Sequence, residues 1–337
     1  MLLTNSEVVI YHDETKEIPK ANLKGHVLFF VPIKIKLEDD LPLLKRNVSE
    51  IFPKKMLIDR ILQYRKQYNC DGKLHFTDIS GKKWGKYDRA YYDIASVAID
   101  ALRSKGSVFF EIPLRCKLAI IFYPKGTDRN IYGGTSINEK ELRHDETLLR
   151  ILLKGACHYL YNENNKVRVI KIIADGESGI RHFDEKRIIW RLLFRENDKE
   201  APLREYVSLD SNCTIEHLQS DHKKHDIYSD DYIDANLLQI ADLLLGSAIR
   251  SCFTGKIESK TIPKFGDLCS KKDVISTPFR EMIEKKKIRG SNFINSGHYR
   301  SFTLTKVEFS SKHIIFQELE PLRILNNDLN GLLFADI

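Results

Sequence analysis

Several signatures of common protein classes are missing from this sequence, and each absence argues against a class. The six cysteines include no C-x-x-C pair, so the sequence indicates neither a zinc knuckle nor a disulfide framework. Scattered cysteines are typical of a reducing compartment, and we expect a cytoplasmic protein. The N-terminus lacks the charged start and long apolar stretch of a signal peptide. No apolar run approaches the length of a membrane span, so we expect no membrane partner.

Motifs of several enzyme classes are missing too. There is no G-x-x-x-x-G-K-[ST] loop and no G-x-G-x-x-G turn, which argues against P-loop and dinucleotide-binding proteins. There is no G-x-S-x-G elbow and no H-E-x-x-H pair, which argues against the hydrolases and zinc proteases that use them. No internal repeat or low-complexity segment is present.

What the sequence does contain is typical of a globular protein with a substantial core. The chain has 337 residues, of which 42% are hydrophobic and 30% are charged. The formal charge of +7 and the sequence pI of about 8.9 make it mildly basic. This balance is compatible with nucleic acid or another anionic partner, without being diagnostic of one.

Apolar runs and alternation predict an α/β protein that begins with an antiparallel hairpin. The predicted strands, in chain order, cover residues 8–13, 26–33, 117–123, 167–175 and 214–218. We interpret residues 38–106 as a helical insertion after the second strand. A soft boundary near Phe253 divides a main domain, 1–253, from a C-terminal extension, 254–337.

The stretch 236–250 predicts a helix that is apolar on nearly every face and therefore buried. Asp242 is out of place in such a helix, because a buried carboxylate needs a partner or a metal ion. Gly246 lies one turn later on the same side, where a side chain would block a close approach. Asp242 is therefore either part of a functional site or a residue at the rim that accepts a hydrogen bond or meets Arg250.

Two predicted strands also end in aspartate. Asp13 follows Tyr11 in the two-residue period, and Asp175 follows Val169 and Ile173. Three such carboxylates brought together would repel each other, and bound Mg²⁺ or Mn²⁺ would relieve that repulsion. Each residue also has an ordinary alternative, since Asp13 could cap a turn at residues 13–16 and Asp175 begins an Asp-Gly turn.

Four segments carry a resemblance to the domain-of-unknown-function family 3800. The sequence YHDET at 11–15 resembles the Asp-Glu-Ser strand end that opens that family, with Thr15 in place of the serine. LQIADLLLG at 238–246 resembles its Leu-Gln-Leu-Ala-Asp-Leu…Gly signature. LHFTD at 74–78 resembles its His-Phe motif, and IIAD at 172–175 falls where its internal strand aspartate would be. The resemblance covers roughly residues 8–249, in order.

The family resembles RNase H-like nucleases. That likeness implies a five-stranded mixed sheet flanked by helices, with acids on strand one, strand four and the last helix. The positions implied in this chain are Asp13, Asp175 and Asp242, as catalytic residues and metal ligands. A fourth acid is often present, and Glu14, Glu146 and Glu177 are candidates. For Glu146 a solvated helical face is the alternative.

A polar loop before the last helix contains two histidines, His222 and His225. Either could shuttle protons near a leaving oxygen. Together with His217 they could instead bind Zn²⁺, although no cysteine accompanies them, and a plain polar loop is a third possibility.

Cations and aromatic residues alternate through residues 54–89, as in surfaces that bind phosphates and stack bases. Within this segment we assign substrate contact to the loop residues Lys82, Lys83 and Trp84, and a place in the cleft to His75. The alternative is an ordinary amphipathic helix with buried rings and solubilising lysines.

The sequence thus predicts a divalent-metal-dependent nuclease acting on RNA or DNA, of unspecified oligomeric state. The alternative is a non-catalytic module on the same fold that binds nucleic acid or protein. We also expect that removal of the Asp242 carboxylate leaves the fold intact, because it relieves repulsion between the acids.

Overall fold

The computed structural model describes residues 3–18, 21–36, 50–80, 85–125, 134–162, 165–176, 182–196, 206–254, 270–285, 300–309 and 314–319. No helix within these ranges is long and apolar enough to cross a membrane.

One mixed sheet of eight strands forms the centre of the protein. The strands are β1 (Leu3–Ile18), β2 (Leu23–Lys36), β3 (Glu50–Ile51), β4 (Lys117–Pro124), β5 (Asn165–Asp175), β6 (Val207–Leu218), β7 (Phe302–Phe309) and β8 (Ile314–Glu318). Their order is β6-β5-β1-β2-β4-β7-β8, and the short β3 pairs with β2 outside this path. β1 is parallel to β5, and β5 is parallel to β6. β2 is antiparallel to both β1 and β4.

The predicted hairpin is present, but its turn lies further along the chain than expected. β1 continues to Ile18, with Asp13 paired to Val27 and Glu14 paired to His26. The turn falls at Ala21 and Asn22, where Asn22 has the left-handed φ of 52° that asparagine tolerates. Asp13 is therefore inside a paired strand and does not cap a turn.

Helices cover both faces of the sheet. One face, called here the α5 face, packs against α1 (Pro53–Tyr68), α2 (Lys86–Asp100), α5 (Asp230–Ile249), α6 (Lys271–Ile275) and α7 (Thr277–Lys285). The other, the α3 face, packs against α3 (Ile137–Leu160) and α4 (Arg191–Glu196), which a π-helical turn, Lys186–Trp190, precedes. Helices on both faces explain why β5 is apolar almost throughout.

α5 is the most deeply buried helix on its face, as its sequence predicts. Its first turn is capped by Ser229, whose hydroxyl accepts a hydrogen bond from the Tyr232 backbone N–H at 3.1 Å. Burial extends from Asp234 to Ala248 with few interruptions, so polar side chains in this stretch need internal partners.

The C-terminal region belongs to the same sheet. β7 pairs in parallel with β4, and β8 pairs with β7. Phe302 and Phe279 from this region lie in the hydrophobic core of the α5 face. The predicted boundary near Phe253 therefore does not separate two folding units among the described residues, while α1 and α2 lie within the predicted insertion, 38–106.

A chain of buried polar side chains crosses the α3 face. Tyr123 donates a hydrogen bond to the Asp145 carboxylate at 3.3 Å, so the Tyr123 oxygen accepts one from His26 Nε2 at 2.9 Å. His26 Nδ1 then accepts from His12 Nε2 at 2.9 Å. Burial lowers the pKa of His26 to about 4 and lowers that of His12 well below its ordinary value. Both rings are therefore neutral at pH 7, and Asp145 fixes the direction of the hydrogen bonds.

These buried histidines predict a loss of stability in weak acid. Because their folded pKa values lie below the ordinary 6.5, the unfolded chain binds more protons between pH 6.5 and 4, and folding stability falls as the pH falls through that window. Each histidine contributes a slope of up to about 1.4 kcal/mol per pH unit. Urea unfolding between pH 7.5 and 4 measures this slope. His26→Phe should reduce this slope by the contribution of one histidine, up to about 1.4 kcal/mol per pH unit. An unchanged slope would contradict the assignment.

Candidate active site

Two strand ends place Asp13 and Asp175 side by side. β1 and β5 are parallel neighbours in which His12 pairs with Ala174, so the aspartates that follow lie at the same level. Tyr11 and Ile173, two residues earlier in each strand, belong to the core of the α5 face. Since side chains alternate along a strand, Asp13 and Asp175 both point to the α5 face.

The sequence argument for the orientation of Asp175 needs one correction. Val169 belongs to the core of the α3 face, whereas Ile173 belongs to that of the α5 face. An irregularity between Val169 and Lys171 shifts the pairing with β6 and reverses the alternation. Ile173 is therefore a valid reference for the face that Asp175 occupies, as is Lys171, whose Nζ lies 3.6 Å from Asp234 on α5, whereas Val169 is not.

α5 brings Asp242 to the same two strand ends. Tyr11 donates a 2.5 Å hydrogen bond to Asp234, and Asp242 lies two turns further along the helix. Burial and the charges of Asp242 and Asp175 raise the pKa of Asp13 well above its usual 3.8. The three aspartates from β1, β5 and α5 are thus close enough for their charges to interact.

Only one of the two carboxylate oxygens of Asp175 has a hydrogen-bond partner among the described residues. Its Oδ2 accepts a 3.1 Å hydrogen bond from the Ser220 hydroxyl. Its Oδ1 is buried and has no hydrogen-bond partner among the described residues. Burial raises the pKa of Asp175, while the positive charge of Lys73 opposes that rise. A buried carboxylate oxygen without a donor is a position that a cation would satisfy.

Asp242 anchors the His-Phe segment. Its Oδ2 accepts hydrogen bonds from the Phe76 backbone N–H at 2.7 Å and from His75 Nδ1 at 2.9 Å. The hydrogen bond to Asp242 raises the pKa of His75, which is 38% exposed. Loss of the Asp242 carboxylate would leave the Phe76 N–H without this acceptor, so the expected relief of repulsion is opposed by lost hydrogen bonds, and the expectation that the fold stays intact remains a prediction. Oδ1 is the oxygen left to face a ligand.

Gly246 allows Phe76 of the His-Phe segment to pack closely against α5. A Cβ at position 246 would overlap the Phe76 ring and lie 2.6 Å from the Phe76 Cβ. The expectation that Gly246 permits a close approach thus has a specific cause, the packing of Phe76 on α5.

Gln239, which we did not single out in the sequence, joins the segments of the site. Its Oε1 accepts from the Leu74 N–H at 2.7 Å and from Arg65 Nη2 at 2.6 Å. Its Nε2 donates to the Ser220 carbonyl at 2.5 Å and to His222 Nδ1 at 3.2 Å. The signal in the sequence was a second polar residue, three positions before Asp242, in a helix predicted to be buried.

Neither of the described candidates for a fourth acid reaches this site. Glu14 alternates with Asp13 and lies on the α3 face, 3.8 Å from His26 Nδ1. Glu146 is buried on α3, where it accepts from Arg187 Nε at 2.5 Å and from the Asp184 backbone N–H at 2.7 Å. Both face away from the three aspartates, and Glu177 lies outside the described residues.

The histidines do not form one cluster. His222 is buried against Gln239, and His225 Nε2 bonds to the Gln219 carbonyl at 2.9 Å. His217 accepts from the Phe183 backbone N–H at 3.0 Å, and it pairs with Ala174 of the α3-face core. A zinc site shared by all three is therefore excluded by their positions on opposite faces. His222 is a packing partner of Gln239 and has no contact with the aspartates among the described residues.

The basic, aromatic segment is mostly engaged in packing. Tyr64 and Tyr68 stack on each other with centroids 6.3 Å apart, and Lys54 pairs with the buried Asp234 at 2.5 Å. The predicted substrate contacts Lys82, Lys83 and Trp84 lie outside the described residues.

The site suits a weakly held divalent cation better than a closed metal cage. Among the described residues, no group of three or more His, Cys, Asp or Glu is arranged to hold a metal ion. Mg²⁺, however, keeps several waters and needs only one or two carboxylates. Asp13 and the unpartnered Oδ1 of Asp175 are the described oxygens that could supply such ligands.

Comparison of the chain with protein-family models, with curated proteins and with solved structures finds no match.

The packing at Gly246 predicts the effect of one methyl group. Gly246→Ala should destabilise the protein by about 1–3 kcal/mol, because Phe76 must leave its place on α5. Gly155→Ala in α3 is the matched control. A Cβ there meets nothing within 4 Å, so that change should stabilise the helix by about 0.4–1 kcal/mol. Denaturant unfolding of both variants measures the difference, and equal effects would contradict the Phe76 contact.

The raised pKa of Asp13 predicts that Asp13→Asn stabilises the protein when no divalent cation is present. An aspartate with a raised folded pKa binds more protons when folded, so stability is lost as the pH rises from 3.8 through the folded value. At pH 8 in EDTA the variant should melt roughly 2 °C or more above wild type, as about 1 kcal/mol does for a chain of this size. Below pH 3.8 the gain should vanish. A variant that melts lower at pH 8 would show that the carboxylate is structural.

Proposed function

We propose that this chain is a divalent-metal-dependent nuclease of RNase H-like fold that hydrolyses nucleic-acid phosphodiester bonds. The observation that carries the proposal is the approach of Asp13, Asp175 and Asp242, from two strand ends and one buried helix, on a single face of the sheet. Burial and then the like charges of Asp242 and Asp175 raise the pKa of Asp13, and bound Mg²⁺ or Mn²⁺ would stabilise its charged form.

The strand order supports the fold assignment. With the short β3 set aside, the first five strands are arranged β6-β5-β1-β2-β4, and β2 alone runs against the others. Asp13 then lies on the first strand, Asp175 on the fourth, and Asp242 on the helix after the fifth. This is the distribution of acids that RNase H-like nucleases would require. β7 and β8 are additions at the far edge.

In such a site the three aspartates would bind the cation, and the residues hydrogen-bonded to them would orient their carboxylates. Asp13 and Asp175 Oδ1 would bind the ion, with Asp242 Oδ1 as a further oxygen. The ion would activate a water molecule and hold phosphate oxygens for in-line attack. Ser220 fixes Asp175, and His75 with the Phe76 N–H fixes Asp242. Lys272 lies at the rim, 5.5 Å from the Phe76 ring centroid, where its charge can meet a substrate phosphate.

Asp175→Asn is the direct test. The variant keeps an oxygen for Ser220 but loses the charge, and it should cut labelled single-stranded, duplex and hybrid substrates at least 100-fold more slowly with Mg²⁺ or Mn²⁺. Asp231→Asn, at an exposed position in the first turn of α5, is the matched control and should retain activity. Wild-type rates in Asp175→Asn would refute the assignment of this carboxylate.

A second candidate is a non-catalytic module that binds nucleic acid or protein. The cations and aromatic residues that alternate through residues 54–89 motivate it. Calorimetric titration with Mn²⁺ separates the two candidates. The nuclease should release stoichiometric heat that Asp175→Asn abolishes, whereas a binding module should give none.

A further inference from the structure

The outer surface of the α3 face concentrates positive charge. Two helical segments contribute to it, α3 and the stretch from Lys186 to Glu196. Of the cations that they expose fully or in part, Arg143 and Arg187 pair with acids. Arg150, Lys154, Lys186 and Arg191 form no ion pair among the described residues. This set, together with Trp190, is called here the Trp190 patch.

Two acids near the patch are engaged by other cations, while Glu185, next to Lys186, is partly exposed. Glu146 is buried and bound by Arg187, and Glu139 pairs with Arg143 at 2.6 Å. Arg150 donates from Nη1 to the Arg187 carbonyl at 3.0 Å and forms no ion pair of its own with a described acid. Burial and the nearby charge of Arg191 lower the pKa of Arg150. Two guanidinium groups held close together are a position where an anion would stabilise the protein.

An exposed indole lies among these cations. Trp190 is 58% exposed, although tryptophan is highly buried on average. Lys186 Nζ lies 5.4 Å from its ring centroid. The π-helical turn places Ile188 and Ile189 in the core and leaves Trp190 and Arg191 facing outward. Such turns occur frequently at functional sites.

We propose that the Trp190 patch binds single-stranded nucleic acid. The cations of Arg150, Arg191 and Lys186 would neutralise phosphates, and a base would stack on the open face of Trp190. In an unpaired strand bases and phosphates alternate, so a base could stack on Trp190 while the neighbouring phosphates meet the cations around it. A duplex presents phosphates but no free base face. The patch lies across the sheet from the three aspartates, so this inference does not rest on the proposed nuclease activity.

Tryptophan fluorescence tests the stacking directly. The chain has two tryptophans, so Trp84→Phe leaves Trp190 as the only reporter. Oligo(dT) of about 20 nucleotides should quench this emission in EDTA, in a protein that also carries Asp175→Asn so that hydrolysis plays no part. A duplex of the same length should bind without the same quenching. Quenching by polyglutamate of equal charge would instead identify an acidic protein as the partner and overturn the proposal.

Charge reversal tests the phosphate contacts. Arg150→Glu with Arg191→Glu should weaken oligo(dT) binding at least tenfold, measured by anisotropy, and should lower the salt slope by about 1.4 for two lost phosphate contacts. Trp190→Ala should weaken binding about fivefold or more. Lys105→Glu with Lys166→Glu, at exposed positions elsewhere, makes the same change in net charge and should leave the affinity within about twofold. Equal losses in the two double variants would show that only net charge matters.

Discussion

The four hydrogen bonds of the Gln239 side chain hold the candidate site together. A buried amide has two donors and two acceptor positions; here the acceptor positions are used by Arg65 and Leu74, and both donors by the loop that contains Ser220 and His222. Leu74 leads into the His-Phe segment that contacts Asp242, and Ser220 holds Asp175. One residue on α5 therefore fixes the segments that orient two of the three aspartates. Because a buried amide with an unmet group is costly, these segments are coupled to the packing of the helix.

The three neighbouring aspartates destabilise the folded protein electrostatically when no cation is bound. Desolvation and like charge raise the pKa of Asp13, and Asp175 keeps a buried oxygen without a donor among the described residues. Neighbouring carboxylates with a structural role have full partners. Asp234 accepts a hydrogen bond from Tyr11 and pairs with Lys54, and Glu146 accepts a hydrogen bond from Arg187. The three aspartates accept hydrogen bonds too, so the contrast lies in charge: the structural acids are paired with a lysine or arginine, whereas none of the three aspartates forms a salt bridge with Lys or Arg in the described part of the chain. That difference, more than the presence of aspartate, distinguishes the site.

Sequence reasoning could find the strands, the buried helix and the three aspartates, because each depends on local pattern. β5 is β-branched and apolar, and α5 is apolar all round, so Asp175 and Asp242 were conspicuous. What it missed depended on pairing between distant segments. The irregularity after Val169 and the extension of β1 to Ile18 are set by neighbouring strands. Glu14 was a candidate because it adjoins Asp13, and Glu146 because the resemblance implies an acid on the helix before the fourth strand, yet the sheet separates both from the site.

β1 shows why this separation is sharp. Tyr11 and Asp13 point to the α5 face, where Tyr11 bonds to Asp234. His12 and Glu14 point to the α3 face, where His12 begins the hydrogen-bonded chain that ends at Asp145. A slip of one residue would exchange these sets, leaving a histidine among the acids and a carboxylate among neutral rings. A slipped register would therefore be destabilised by mismatched buried groups on both faces of the sheet. The hydrogen bonds of His12 and Tyr11 together determine that Asp13, and not its neighbours, meets Asp175 and Asp242.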